Sequence, residues 1–114
     1  MIAVIFEFTP TDGRFDDYYE LALGLNETVK NFDGFISIER FESIVNKGKF
    51  VSLSFWRDEE SVRRWRNVQQ HREAQAKGRA GIFKGYRLRI ASVIRDYEMD
   101  KRAQAPEDSK KVHG

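Results

Sequence analysis

Five residues able to do chemistry crowd one stretch of this chain. Trp65, His71, Arg72, Gln75 and Arg79 fall within Phe55–Arg79, which reads FWRDEESVRRWRNVQQHREAQAKGR. An imidazole ordinarily titrates near neutrality and can take or return a proton. A guanidinium holds an anion through a planar fork of donors. An indole offers a broad apolar wall. It is costly on a mostly polar helix unless its ring meets something apolar, so Trp65 faces either a sheet or a ligand between helix and sheet. Each residue also has a plain structural reading. Trp65 serves equally as core filler, His71 as a surface or capping histidine, Arg72 and Arg79 as solvated charges, and Gln75 as an amide bonded to backbone.

The elements that must position these residues follow from periodicity. Residues 2–9 alternate, with Ile2, Val4, Phe6 and Phe8 on one side and Ala3 and Ile5 on the other. Such a strand is apolar on both faces until Glu7. Pro10 ends it, and Thr11-Asp12-Gly13 turns the chain and offers helix caps. Residues 14–31 carry Phe15, Tyr18, Leu21, Ala22, Leu25 and Val29 at helical spacing. Gly34 breaks that helix. A second strand over 35–43 puts Phe35, Ser37, Glu39 and Phe41 on one side and Ile36, Ile38 and Arg40 on the other. Asn46-Lys47-Gly48 is a hairpin turn into a third strand over 49–56. Asp58 caps a second helix that runs to Lys77, with Val62, Trp65 and Val68 along its apolar edge and Gly78 as its stop. In the last strand, 86–95, Tyr86, Leu88 and Ile90 alternate with Arg87 and Arg89.

Phe32-Asp33-Gly34-Phe35 and Phe83-Lys84-Gly85-Tyr86 repeat a Phe-x-Gly-aromatic pattern at two helix-to-strand passages. Glycine supplies the left-handed backbone such passages need. The order βαββαβ, with two related halves, predicts a ferredoxin-like α+β fold: a four-stranded antiparallel sheet with both helices on one face. One domain is expected over 1–96. Residues 97–114 lack periodicity and predict a flexible tail. Apolar residues on the remaining sheet face predict a homodimer, sheet against sheet, through that open face.

Composition narrows the function classes. A chain of 114 residues builds one core without staples. It has no cysteine and two histidines, one of them His113 near the C-terminus, which argues against thiol chemistry and a histidine-rich metal site. No GxGxxG, GxxxxGK[ST] or GxSxG pattern is present. No apolar run approaches the roughly 20 residues of a membrane helix, and MIAVIFEF lacks the basic start of a signal peptide. A cytoplasmic protein without membrane partners is expected. Net charge is +2 but uneven: −6 over residues 1–45, +9 over 46–95 and −1 beyond. The asymmetry fits an anionic partner, complementary faces meeting in a dimer, or solvated surface.

The pair Phe55-Trp56 at a strand end, Trp65 nine residues on, and His71-Arg72-Glu73-Ala74-Gln75 before Gly78-Arg79 resemble the antibiotic biosynthesis monooxygenase family, as does the Phe32-to-Phe35 passage. The resemblance covers residues 1–96. It implies a dimeric α+β barrel with a ligand pocket between sheet and helices in each subunit. It implies one of two chemistries: cofactor-independent oxygenation of phenolic substrates, or haem binding and degradation. The family's pocket tryptophan corresponds to Trp65. The haem branch has its iron-binding histidine ten residues later, where this chain has Gln75, and a first-strand asparagine where it has Phe6. Glutamine is a poor iron ligand, so haem is disfavoured and no cofactor is expected.

Oxygenation without a cofactor requires a dry pocket, a flat electron-rich substrate and a group that takes its proton. Under the resemblance, Trp65 and Phe6 are the wall, His71 is the base, and Arg72 or Arg79 holds the anion. Tyr18 or Tyr86 hydrogen-bonds the substrate, and Gln75 lies at its edge. The competing classes are a non-catalytic small-molecule or haem-binding dimer and a nucleic-acid platform. Against the last, Arg87 and Arg89 stand on the last strand where a base-stacking sheet uses aromatics.

Overall fold

The computed structural model describes residues 1–75 and 81–114, with the side chains of 69–75 outside that description. Its elements are β1 (Ile2–Pro10), α1 (Phe15–Val29), β2 (Phe35–Glu42), β3 (Phe50–Trp56), α2 (Glu59–Gln75), β4 (Phe83–Ser92) and α3 (Glu107–His113). The strands form one sheet in the order β2-β3-β1-β4, with every neighbouring pair antiparallel. This is the ferredoxin-like α+β fold.

Register sorts the side chains into two faces, because residues paired across strands share a face. On the face with Phe8 and Trp56, both buried, four rows cross the sheet. They are Phe35–Trp56–Ile2–Ser92, Ile38–Ser54–Val4–Ile90, Arg40–Ser52–Phe6–Leu88 and Glu42–Phe50–Phe8–Tyr86. This face meets the helices: Tyr18, Ala22 and Val29 of α1 and Val62 of α2 are buried against it. The opposite face carries Ile5, Val51, Leu53, Phe55 and Phe41 around an ion pair from Arg89 to Glu7 at 3.2 Å.

Four local expectations change. The second strand does not keep Phe35 in phase with Ser37. A bulge at Ile36 turns Phe35 to the helix face, where its ring lies 5.4 Å from that of Trp56. The last strand begins at Phe83 rather than Tyr86, because Pro10 and Thr9 of β1 extend the ladder across a second bulge. Gly85 therefore sits inside a strand. Among the described residues the left-handed glycine before β4 is Gly81, at φ 92°, and Gly85 is not left-handed, so the Phe-x-Gly repeat is not a structural repeat. The start of α1 has no side-chain cap; the Arg14 backbone N–H donates to the Thr11 carbonyl at 2.8 Å instead. In the segment beyond residue 97, Glu107–His113 forms the short helix α3, with acidic residues in its first turn and basic ones in its last.

Gly34 is the passage that matters most. It is left-handed at φ 92°, and a Cβ built on it would run into the side chain of Ser61, which is 0% exposed. Gly13, at φ 78°, has open space where its Cβ would point. Gly13→Ala is expected to cost about 1–2 kcal/mol, the penalty of a left-handed residue bearing a Cβ. Gly34→Ala adds overpacking and is expected to cost about 3 kcal/mol or more. Urea denaturation of both variants measures the difference; equal losses would contradict the close approach.

Candidate functional site

The core beneath the helices is divided. One cluster gathers Phe8, Tyr18, Ala22 and Ile82, with Phe6, Leu21, Phe50 and Phe83 packed around them. The other gathers Val29, Trp56 and Val62, with Ile2, Val4, Phe32, Phe35, Ile38 and Trp65. Between them the sheet offers small or polar side chains, Ser52 and Ser54 of β3 and Arg40 of β2. Ser54 accepts the Trp56 indole N–H at 2.9 Å. Arg40 donates through Nη1 to Asn26 Oδ1 of α1 at 2.6 Å. The Arg40 Nε and the Tyr18 hydroxyl are buried without a well-aligned hydrogen-bond partner among the described residues, as is the Arg64 Nε near the start of α2. Burial pushes the Tyr18 phenol up from its ordinary value, and the charge of Arg40 and a hydrogen bond from its guanidinium oppose part of that rise. Tyr18 is therefore protonated at neutral pH and able to donate.

The β4 side of this sheet face is open. Tyr86, Leu88 and Ile90 of β4 face the helix side yet are 69%, 50% and 43% exposed. A depression of about 270 Å³ separates the first turns of α2 from Ile90, with Val62, Glu59, Glu60, Arg63 and Arg66 on the helix side. Phe6 lies on the same cross-strand row as Leu88.

The sequence-derived site residues fall in different surroundings. The Trp65 ring faces inward, 5.3 Å from Phe32 and 6.1 Å from Trp56, so it packs as part of the second cluster. Phe6 lies 5.1 Å from Phe8, 5.5 Å from Phe83 and 5.6 Å from Tyr86. Tyr18 is 4.4 Å from Phe8 and 7% exposed. Phe6, Tyr18 and Tyr86 thus meet in one aromatic group, and Trp65 belongs to the other. Helix α2 carries His71, Arg72 and Gln75, whose side chains lie outside the described residues, as does Arg79. The structure adds Arg40 and Asn26 to this region. Their signal was a charge on the Ile38 side of β2, in phase with residues that face the helices.

The start of α2 is held by a charged network. Asp58 Oδ1 accepts the Ser61 backbone N–H at 2.8 Å and its hydroxyl at 2.6 Å. Arg57 bonds both oxygens of Asp33, at 3.0 and 3.2 Å, and Asp58 at 3.2 Å. Arg64 reaches Asp33 at 3.3 Å. These contacts tie the loop before β2 to the helix bearing Trp65.

The residues present do not fit haem ligation. Phe6 has no donor and is engaged with other rings, and glutamine at position 75 is a poor iron ligand. Among the described residues no group of three His, Cys, Asp or Glu side chains could hold a metal ion.

Sheet order and helix placement define a ferredoxin-like α+β protein. The sequence profile of the antibiotic biosynthesis monooxygenase family matches residues 1–77, and the chain belongs to that family. It is 46% identical over 93 residues to a jasmonate monooxygenase ABM of Pyricularia oryzae, covering 82% of this chain but 43% of that protein. It is 27% identical to the uncharacterised YqjZ of Bacillus subtilis, covering 82% and 79% of the two chains. The chain thus spans less than half the length of the first of these relatives.

Solved structures share the fold. A putative antibiotic biosynthesis monooxygenase of Deinococcus radiodurans superposes with a TM-score of 0.73 at 9% identity, over 86% of this chain and 97% of that one. A mutant of SnoaB, a cofactor-independent oxygenase of Streptomyces nogalater, gives 0.67 at 12%, over 83% and 94%. The haem degrader MhuD of Mycobacterium tuberculosis gives 0.62 at 16%, over 86% and 100%.

The Asp58 network makes stability depend on pH. Hydrogen bonds from the Ser61 side chain and backbone, and then from Arg57, hold the Asp58 pKa down at about 2 against an ordinary 3.8. A depressed carboxylate stabilises the fold above its unfolded pKa and loses that contribution as pH falls toward the folded value. Asp58→Ala should therefore lower Tm by a constant amount above pH 5. The gap to the parent should narrow between pH 4 and pH 2, as followed by circular dichroism; a gap independent of pH would contradict the ionic cap.

Proposed function

We propose that this domain is a monooxygenase of the cofactor-independent type, acting on a small aromatic or otherwise electron-rich organic substrate. The observation that carries the reading is the open apolar flank of β4 beside Phe6, in a chain whose family and 46%-identical relative are named as monooxygenases. The substrate ring lies against Phe6 and Leu88 and leaves past Tyr86. His71 takes its acidic proton, and Arg72 or Arg79 holds the resulting anion with Gln75 beside it. Trp65 supports the wall from the second cluster. The electron-rich anion passes electrons directly to O₂. In the balanced step a CH₂ group becomes C=O and the second oxygen atom leaves as water, both oxygens coming from O₂ and every electron from the substrate. No resident metal or flavin is needed for that balance.

The same reading places two copies of the domain sheet against sheet. Phe41, Ile5, Val51, Leu53 and Phe55 form an apolar field bordered by Glu7, Glu39, Arg87 and Arg89. Charges of both signs at its border suit a two-fold contact, in which each patch meets its own complement.

Three measurements test these proposals. An anthrone incubated in air with the metal-free protein should be oxidised, with the rate falling at least about tenfold in His71→Ala and less in Trp65→Phe, a loss typical of a removed general base. An unchanged rate in both variants would refute the site. Jasmonate in the same assay, scored by uptake of one labelled oxygen atom, should show turnover if the specificity of the Pyricularia relative is shared. Light scattering should give twice the 13.4 kDa chain mass, and Leu53→Arg should give the single-chain mass; a monodisperse monomer for the parent would rule out the dimer.

A further inference from the structure

We infer that the link between Asp12 and Gly13 is a site of spontaneous isomerisation to isoaspartate, while the same dipeptide at Asp33-Gly34 is protected by the guanidinium groups of Arg57 and Arg64. The chain contains an Asp-Gly pair at these two places. The chemistry open to both is the same. The glycine backbone nitrogen attacks Cγ of the aspartic acid and a C–N bond forms. The carboxyl OH leaves with the amide proton as water. Water then opens the cyclic imide at one of its two carbonyls. Opening at the side-chain carbonyl restores aspartate, and opening at the main-chain carbonyl leaves the backbone running through the side-chain methylene. One water leaves and one returns, so mass is unchanged and nothing is oxidised or reduced. The attack needs a protonated carboxyl, a carboxyl carbon free to move and an unhindered nitrogen; glycine meets the last need at both places.

The structure separates the two places. Asp12 and Gly13 are exposed in the turn after β1, and Gly13 is left-handed with open space where a Cβ would point. Among the described residues no hydrogen bond or ion pair holds the Asp12 carboxylate or the Gly13 N–H, and Arg14 beside them pairs with Asp17 instead. The Asp33 side chain is 70% exposed, so burial does not protect it. Arg57 holds its two carboxylate oxygens at 3.0 and 3.2 Å, and Arg64 holds one of them again at 3.3 Å. Those bonds, Arg57 foremost, keep its pKa below the ordinary carboxylate value, which makes the reactive protonated form scarcer. The Gly34 carbonyl accepts the Arg57 N–H at 2.8 Å, and Ser61 packs where a Cβ would stand, so the backbone is pinned as well. Cyclisation there requires local opening of the clamp. Conversion at residue 12 inserts one carbon into the turn across which the Arg14 N–H reaches the Thr11 carbonyl. That turn starts α1, whose Phe15 and Tyr18 rings pack on Phe50 and Phe8, so isomerisation loosens this end of the helix.

The test ages the whole chain in mildly acidic buffer well below its Tm and measures isoaspartate at each site by mass spectrometry of its peptides. Isoaspartate at residue 12 is expected to exceed that at residue 33 by about tenfold or more, since only the second site must first open locally. In the urea-unfolded chain the two sites should convert within a few-fold of each other. Arg57→Met should raise conversion at residue 33 severalfold, and Arg57→Met with Arg64→Met should raise it further, with residue 12 unchanged in both. Arg57→Lys keeps the charge and loses the two-pronged grip, so it should fall between the parent and Arg57→Met. The aged parent should melt at a lower temperature than the fresh protein. Aged Asp12→Glu, in which the corresponding ring would be six-membered and forms far more slowly, should not. Equal conversion at the two sites of the folded chain, faster conversion at residue 33, or an unmodified residue 12 under conditions that convert the unfolded chain would each overturn the assignment. So would protection of residue 33 that survives loss of both arginines. An unchanged Tm after conversion at residue 12 would overturn the role given to the turn.

Discussion

Helix α2 lies where it does because Gly34 has no side chain. The buried Ser61 occupies the space a Cβ would need, and the Arg57 backbone N–H donates to the Gly34 carbonyl at 2.8 Å. The close approach lets Arg57 and Arg64 reach Asp33 next door. It also lets Asp58 close the first turn on Ser61. The exposed ion pairs add little stability individually. Their geometry fixes the angle at which α2 leaves the sheet, and that angle sets how deeply Trp65 packs against Phe32 and Trp56.

A divided core follows from the sheet beneath. Phe50 and Trp56 stand at the two ends of β3 on the helix side, with Ser52 and Ser54 between them. Large rings gather at the ends and leave a polar waist in the middle. A continuous apolar core would be more stable, since Arg40 and Tyr18 bury polar atoms at a cost. The helix-side face of β4 next to that waist is partly exposed.

Much of the architecture was legible in the chain. The alternation of β1, the stripe of α1 and the Asp58 cap each depend on neighbours in sequence, and each appears within a residue or two of its expected bounds. The failures were of register. Ile36 bulges because Phe35 gains more by packing on Trp56 than by keeping phase with Ser37, and no pattern within β2 reports a partner ring on another strand. Gly85 resembled a passage glycine, but pairing with Thr9 drew it into β4 and left the turn to Gly81. Helix α3 has no apolar stripe to announce it; its signal was the run of acidic then basic residues.

For the site, the sequence alone marked the types able to wall a pocket or move a proton, and Phe6, Tyr18 and Tyr86 do gather in one aromatic group. It also determined the fold class, because hydrophobic periodicity and glycine placement are local properties of a chain. It could not show that Arg40, far from Tyr18 in sequence, shares a buried waist with it, nor that Trp65 joins the cluster across that waist. Those facts depend on strand register and on the packing of two helices across one sheet. Only the tertiary structure sets these, because each residue's surroundings there come from strands and helices distant along the backbone.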